Sequence, residues 1–120
     1  MRLAITTSGP DLEAPVEAQF GRAKGFVFVD PETWRFQFLD SREGSHAGLA
    51  AAIQAAGRMA AHDVQVLLTG HCDPNAFRVL QAAGIRVCTG LAGGTVREAV
   101  ERFSAGALQE AAAADAQGHW

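Results

Sequence analysis

The feature that most constrains this chain is the alternation of strand and helix patterns in its second half. Residues 64–68 (Val-Gln-Val-Leu-Leu) and 85–88 (Ile-Arg-Val-Cys) have the apolar pattern of buried strands. One amphipathic helix is predicted before them, over residues 47–61, and another lies between them, opened by Asp73 as N-cap and by Pro74. Strand–helix–strand steps of this kind require parallel strands joined by right-handed crossovers.

Helical spacing predicts the buried face of one helix, and a capping signal predicts where another helix begins. In the helix over residues 47–61, Leu49 and Ile53 recur at helical spacing with either Ala56 or Met59–Ala60, and this apolar stripe is expected to face the core. Thr95 and Glu98 have the spacing of a capping box, which predicts the start of a third helix.

The first half of the chain predicts antiparallel strands. Residues 26–29 are continuously apolar, and in residues 34–39 aromatic side chains alternate with polar ones after the turn sequence Asp-Pro-Glu-Thr. With an initial strand over residues 2–6, we predict an α/β fold with a mixed five-stranded sheet and three helices. Residues 1–108 are expected to form one domain, followed by an alanine-rich tail over residues 109–120 that has few large apolar side chains to order it.

Composition excludes several classes of function. The 120-residue chain carries a net charge of −3 and no basic stretch, which argues against a nucleic-acid partner. No apolar run approaches the roughly 18 residues of a membrane span, and the two cysteines are too few for a secreted disulfide framework. The cytoplasm is therefore the expected compartment. Catalysis finds little support, because the sequence has no Ser-His-Asp arrangement with a nucleophile elbow and no carboxylate in the first strand to hold Mg²⁺.

Candidate chemistry lies where the parallel strands are expected to end. Ligands of open α/β sheets sit beyond the carboxyl ends of the strands, which selects residues 6–9, 70–73 and 89–95. Within the second segment, His71 and Cys72 precede a helix start, where the helix field favours anions and thiolate. Imidazole and thiolate together suit soft metals. The alternative is a strand–helix loop with an incidental histidine and cysteine.

The remaining histidines and cysteine have simpler interpretations. Cys88 lies inside a strand and is expected to be a small buried hydrophobe, so Cys72 is predicted to be the more accessible and reactive thiol. Because the two cysteines follow neighbouring strands, oxidation of a sample could join them. His46 is either a ligand at the same sheet edge or a solvated loop residue, and His62 is expected at a helix C-terminus on the surface. The glycines before Thr95 can cradle an anion but lack the lysine and spacing of a P-loop.

Several segments of the chain, in this order and spacing, are typical of one protein family. They are Met1-Arg2-Leu3-Ala4-Ile5, Phe20-Gly21-Arg22-Ala23, Pro74-Asn75-Ala76-Phe77 with Leu80, Ala83-Gly84-Ile85, Gly94-Thr95-Val96 and Gly106-Ala107-Leu108. Together they resemble the nitrogenase iron–molybdenum cofactor biosynthesis (dinitrogenase iron–molybdenum cofactor-binding) family, and the resemblance covers about residues 1–108. The ending Gly118-His119-Trp120 resembles the orange protein branch of that family, whose members carry a molybdenum–copper sulfide cluster.

The resemblance implies a ribonuclease-H-like, three-layer α/β/α fold. It also implies a carrier or scaffold for an anionic metal–sulfur cluster, of molybdenum with iron or copper, without catalytic turnover. Cluster-assembly or acceptor proteins are the implied partners. A different class of function also stays open, namely a small regulatory or protein-interaction domain that keeps the fold and has lost the cluster. Asp73 departs from the family, whose members usually have glycine there, and adds negative charge beside a site for an anion.

The predicted cluster site combines a cation, loop amides and two soft ligands. Its residues are Ser8, Arg22, His71, Cys72, Gly93, Gly94 and Thr95. Of these, His71 and Cys72 are the candidates for direct bonds to metal, and the others are expected to act through noncovalent contacts to sulfur. Arg22 is the matching cation, or else an ordinary surface arginine. His119 becomes a further candidate ligand if the tail folds over the strand ends.

Overall fold

The computed structural model of the chain describes residues 1–40 and 49–110, which form one mixed sheet with helices on both faces. The strands are β1 (Leu3–Thr7), β2 (Gly25–Val29), β3 (Phe36–Asp40), β4 (Val66–Leu68), β5 (Arg86–Thr89) and β6 (Gln109–Glu110). The helices are α1 (Leu49–Ala61), α2 (Pro74–Ala82) and α3 (Val96–Ser104), and a short 3₁₀ turn covers Phe20–Arg22.

The strand order is β3-β2-β1-β4-β5-β6. The strands β1, β4 and β5 are parallel, whereas β2 and β3 form the antiparallel hairpin that the sequence predicts, with Val27 opposite Phe38. The predicted α/β class, its five strands and its three helices are therefore confirmed. The two-residue β6 adds an edge strand that is too short to show a sequence pattern. It follows residue 108 directly, and the proposed domain boundary at that residue stays a prediction.

Alternation along the strands separates two apolar cores. On one face, α1 and α2 pack over a core to which the strands contribute Ala4, Phe26, Phe28, Leu67 and Val87. On the other face, α3 packs over a core to which they contribute Leu3, Ile5, Val27, Val29, Val66, Leu68 and Cys88. Neighbouring residues of one strand face opposite layers, as the pleat requires. The sheet is thus the middle layer of an α/β/α arrangement.

The buried face of α1 agrees with the predicted stripe at Ala56 and Met59 and differs from it at Ile53. Ile53 is 54% exposed, whereas Ala52, Ala55, Ala56 and Met59 are buried. The expectation that Ile53 faces the core is wrong because α1 is so rich in alanine that apolar spacing defines several equivalent stripes. The small side chains of the buried stripe allow the helix backbone to lie close to the sheet.

Both predicted helix starts are confirmed, since their signals are local. The Ala76 amide donates to Asp73 Oδ1 at 3.0 Å at the start of α2. At the start of α3, the Glu98 amide donates to Thr95 Oγ1 at 3.2 Å and the Thr95 amide donates to Glu98 Oε1 at 2.8 Å, which completes the capping box. None of the described helices is long and apolar enough to cross a lipid bilayer.

Candidate functional site

A segment that we call the strap, residues 12–20, crosses the carboxyl ends of the parallel strands. The Val16 amide donates to the Gly94 carbonyl at 2.9 Å, which fixes the strap to the loop before α3. Further along, the His71 amide donates to the Ala18 carbonyl at 2.6 Å and the Phe20 amide donates to the His71 carbonyl at 3.0 Å. The strap therefore ties together the loops that follow β4 and β5.

Ser8 lies at the same edge, directly after β1. Its amide donates to the Pro15 carbonyl at 3.0 Å, and its hydroxyl donates to the same oxygen at 3.1 Å. The Pro15 carbonyl faces Ser8, whereas the amide of the same peptide group, that of Val16, points the other way to the Gly94 carbonyl. Ser8 and the loop that ends at Thr95, which bridges to Pro15, therefore lie on opposite sides of the strap. Further along the strap, Gln19 bridges to His71.

Three fully buried threonines anchor this edge from below. They are Thr6, Thr7 and Thr69. Thr6 Oγ1 lies 2.6 Å from the Glu17 carbonyl oxygen and 3.0 Å from Thr69 Oγ1. Because a hydroxyl carries one proton, Thr6 donates to the carbonyl and accepts from Thr69. The sequence shows these residues only as polar strand ends, so their role in holding the strap was missed.

Gly70 is a further residue whose structural role sequence reasoning missed. A Cβ at this position would lie 2.4 Å from the Ala18 carbonyl oxygen and 2.4 Å from the Leu91 carbonyl oxygen. Only glycine allows the strap and the loop after β5 to approach the chain at this point. Its position directly after a buried strand is a weak signal, since glycine is common in such loops.

His71 and Cys72 point in opposite directions. His71 is exposed, whereas Cys72 is 0% exposed and belongs to the core that also contains Phe20, Ala76 and Phe77. Adjacent side chains of an extended segment project to opposite sides, so an outward His71 places Cys72 inward. The expectation that Cys72 is more accessible than Cys88 is therefore wrong, since Cys88 is 2% exposed.

Cys88 behaves as the small buried hydrophobe that its strand position predicts. Burial is the main reason that the pKa of its thiol is raised, and the carboxylate of Glu110 adds to the effect while Arg86 opposes it. Neither Cys72 nor Cys88 forms a disulfide. Cys88 faces α3 and Cys72 belongs to the α1–α2 core, so the sheet separates them. The native fold therefore does not favour the disulfide that oxidation of a sample could form.

The positive groups near the edge come from the chain between the strap and β2. Arg22 is exposed in the 3₁₀ turn that begins at Phe20, whose amide is bonded to His71. Lys24 is also exposed, and its amide donates to the Thr7 carbonyl at 3.0 Å. Arg22 and His71 therefore belong to the same exposed side of the molecule.

The start of α3 offers fewer free amides than the sequence suggests. The Val96 amide donates to the Ala14 carbonyl at 3.0 Å and the Arg97 amide donates to the Leu12 carbonyl at 2.8 Å. The capping box uses the amides of Thr95 and Glu98. Within the described part of the chain, the exposed Ala92, Gly93 and Gly94 are the residues of this loop whose amides carry no hydrogen bond.

The donor set does not resemble a site in which side chains alone ligate a metal. Among residues 1–40 and 49–110, no three histidine, cysteine, aspartate or glutamate side chains lie together in an arrangement that could hold a metal ion. His46 and His119 lie outside the described residues. Asp73 places a capping carboxylate next to Cys72 in sequence, at the start of α2.

Comparison with known proteins gives one family and several similar structures. Residues 1–106 match the family described as dinitrogenase iron-molybdenum cofactor. The orange protein from Desulfovibrio gigas, solved in its apo form, is 44% identical with a TM-score of 0.88, and 95% of each chain is covered. A putative NifB protein from Thermotoga, solved by NMR, is 30% identical with a TM-score of 0.76, and 98% of each chain is covered. No protein with a curated description matches the chain.

Proposed function

This chain belongs to the dinitrogenase iron–molybdenum cofactor family, and from that membership we propose that it binds an anionic metal–sulfur cluster as a carrier or scaffold. The cluster contains molybdenum with iron or copper, and the similarity to an orange protein favours copper. Catalytic turnover is not part of this function. Cluster-assembly or acceptor proteins are the partners that deliver or receive the cluster.

The observation that carries the proposal is that His71 and Arg22 are both exposed and belong to segments joined by one backbone hydrogen bond at the carboxyl edge of the sheet. The turn that holds Arg22 starts on the hydrogen bond between the Phe20 amide and the His71 carbonyl. An imidazole is a donor for copper and iron, and a guanidinium neutralises and hydrogen-bonds an anion. A soft donor and a cation on one surface suit a sulfide cluster with negative charge.

Binding of this kind is largely noncovalent. The exposed residues of the proposed site offer one imidazole, the guanidinium of Arg22 and the loop amides of Gly93 and Gly94. Ser8 and Thr95 are the remaining residues proposed for the site, and the strap runs between them. Cys72 is the second proposed metal ligand, and because its side chain is buried a direct bond to it requires the residues that cover it to move.

The alternative function, a regulatory or protein-interaction domain without a cluster, is favoured by two other observations. The carboxylate of Asp73 caps α2 beside the proposed site, where it opposes an anion. The strap also supplies carbonyl acceptors to the first amides of α3, which an anion would otherwise use. Both features weaken the binding of an anionic cluster and leave the fold intact. They are therefore expected in a domain that has lost the cluster.

Titration of the apoprotein with tetrathiomolybdate and copper(I) tests the proposal. We expect a saturable visible charge-transfer band in the wild-type protein. Arg22→Ala should weaken binding by about one to two orders of magnitude, because a charge-assisted hydrogen bond contributes roughly 1.5–3 kcal/mol. His71→Ala and Cys72→Ser are titrated in the same way.

The matched control is Arg35→Ala, which removes the same charge from an exposed position near the opposite edge of the sheet. It should bind as the wild type does. If the wild-type protein gives no saturable band, the carrier function is wrong and a protein-interaction domain becomes the favoured function. A band that Arg22→Ala, His71→Ala and Cys72→Ser all leave unchanged keeps the carrier function and removes it from this location.

A further inference from the structure

A groove of about 560 Å³ lies between α2 and the edge strands β5 and β6. Gln81 in the last turn of α2 and Arg86 at the amino end of β5 both line it. The proposed cluster site lies beyond the carboxyl end of β5, so the groove is a separate surface. Nothing in the proposed cluster function uses it.

The groove has an apolar floor and a charged rim. Ile85 and Val87, both buried, form part of the floor. Arg86 and Glu110 stand at the rim, where Arg86 Nε lies 2.6 Å from Glu110 Oε1 and about half of each side chain is exposed, 53% and 48%. This ion pair holds the guanidinium in place and leaves its two terminal amino groups available to another acceptor.

Arg78 supplies a second guanidinium from α2. Its side chain is exposed and lines the groove, and it has no ion-pair partner in the described part of the chain. Two arginines against one glutamate make the rim positive, whereas the whole chain carries a net charge of −3. An acidic ligand is therefore attracted to this groove and repelled by the molecule as a whole.

We propose that the groove is a docking site for an acidic segment of a partner protein. A carboxylate of the segment is held between Arg78 and Arg86, and a neighbouring apolar side chain packs on Ala82, which is exposed and lines the groove. Arginine clusters are a recurring device for recognising acidic peptides, and arginine is enriched in protein interfaces. Pockets for small molecules are lined mainly by apolar groups, which does not describe this rim.

The test is a fluorescence-anisotropy titration of a labelled peptide of alternating glutamate and leucine with the full chain. We expect saturable binding that salt weakens. Arg78→Gln should weaken it about 3–10-fold, because one partly exposed charge-assisted contact is lost. Glu110→Gln should strengthen binding severalfold, because it removes the carboxylate that competes for Arg86.

The matched control is Arg102→Gln, which removes the same charge from an exposed position in the last turn of α3, outside the groove. It should change the affinity less than twofold. Equal weakening by Arg78→Gln and Arg102→Gln would mean that only overall charge matters and would overturn the proposal. Absence of saturable binding, or equal binding of a peptide with lysine in place of glutamate, would also overturn it. Free glutamate that competes as well as the peptide would exclude a peptide-binding groove.

Discussion

Thr6 joins the first strand, the strap and the loop after β4 through a single buried hydroxyl. We expect Thr6→Val to lower the free energy of unfolding by about 1–3 kcal/mol, because it leaves the Glu17 carbonyl and the Thr69 hydroxyl buried without this partner. Urea unfolding measures the change. The double variant Thr6→Val/Thr69→Val should lose less unfolding free energy than the two single variants together, because it also removes the Thr69 hydroxyl that Thr6→Val leaves without its partner. A Thr6→Val protein as stable as the wild type would contradict this role.

Cys88 should make the stability of the protein depend on alkaline pH. Burial raises the pKa of its thiol in the folded state, so above the ordinary thiol pKa of about 8.5 the unfolded chain loses a proton that the folded chain keeps. The free energy of unfolding therefore falls as the pH rises through that value, until the folded thiol also ionises. Thermal unfolding between pH 7 and 10 measures the fall, and Cys88→Ala should remove part of it. Identical pH profiles for the two proteins would contradict the prediction.

Among the elements, α2 links stability to the charge at the proposed site through its cap. Asp73→Ala should cost about 0.5–2 kcal/mol of stability, because the Ala76 amide loses its acceptor. Asp73→Asn should leave stability nearly unchanged, since asparagine caps helices as well as aspartate does. If the carboxylate opposes an anionic cluster, Asp73→Asn should also bind tetrathiomolybdate and copper(I) more tightly than the wild type. Equal affinities would show that this charge does not influence the site.

The elements also show how far local sequence signals reach. The caps at Asp73 and Thr95 were predictable because every atom involved lies within four residues. The buried stripe of α1 was not, because its many alanines fit several faces and only the packed sheet selects one of them. Sequence spacing therefore predicts where a helix begins more reliably than which face it buries.

At the scale of the whole molecule, the layers and strand directions followed from the order of the elements. The direction of Cys72 could have been inferred from an extended loop, but only with knowledge that His71 faces outward. The strap and Gly70 could not be predicted, since their contacts join residues that are far apart in the sequence and show no period. The topology thus indicated where to propose the site. Only the packed structure shows which loop amides are already hydrogen-bonded and that the Cys72 thiol is buried.

The strap has a consequence for the order of events during folding. The strap covers residues 12–20, but its partners His71 and Gly94 to Arg97 lie more than fifty residues further along the sequence. Contacts that close such long loops form late, so the strap should dock only after β4, β5 and α3 have assembled. Until then the first amides of α3 face solvent, and a cluster delivered to the nascent protein would meet them uncovered. Pulsed hydrogen exchange during refolding should protect Leu67 before Val96 and Arg97, and simultaneous protection would rule out this interval.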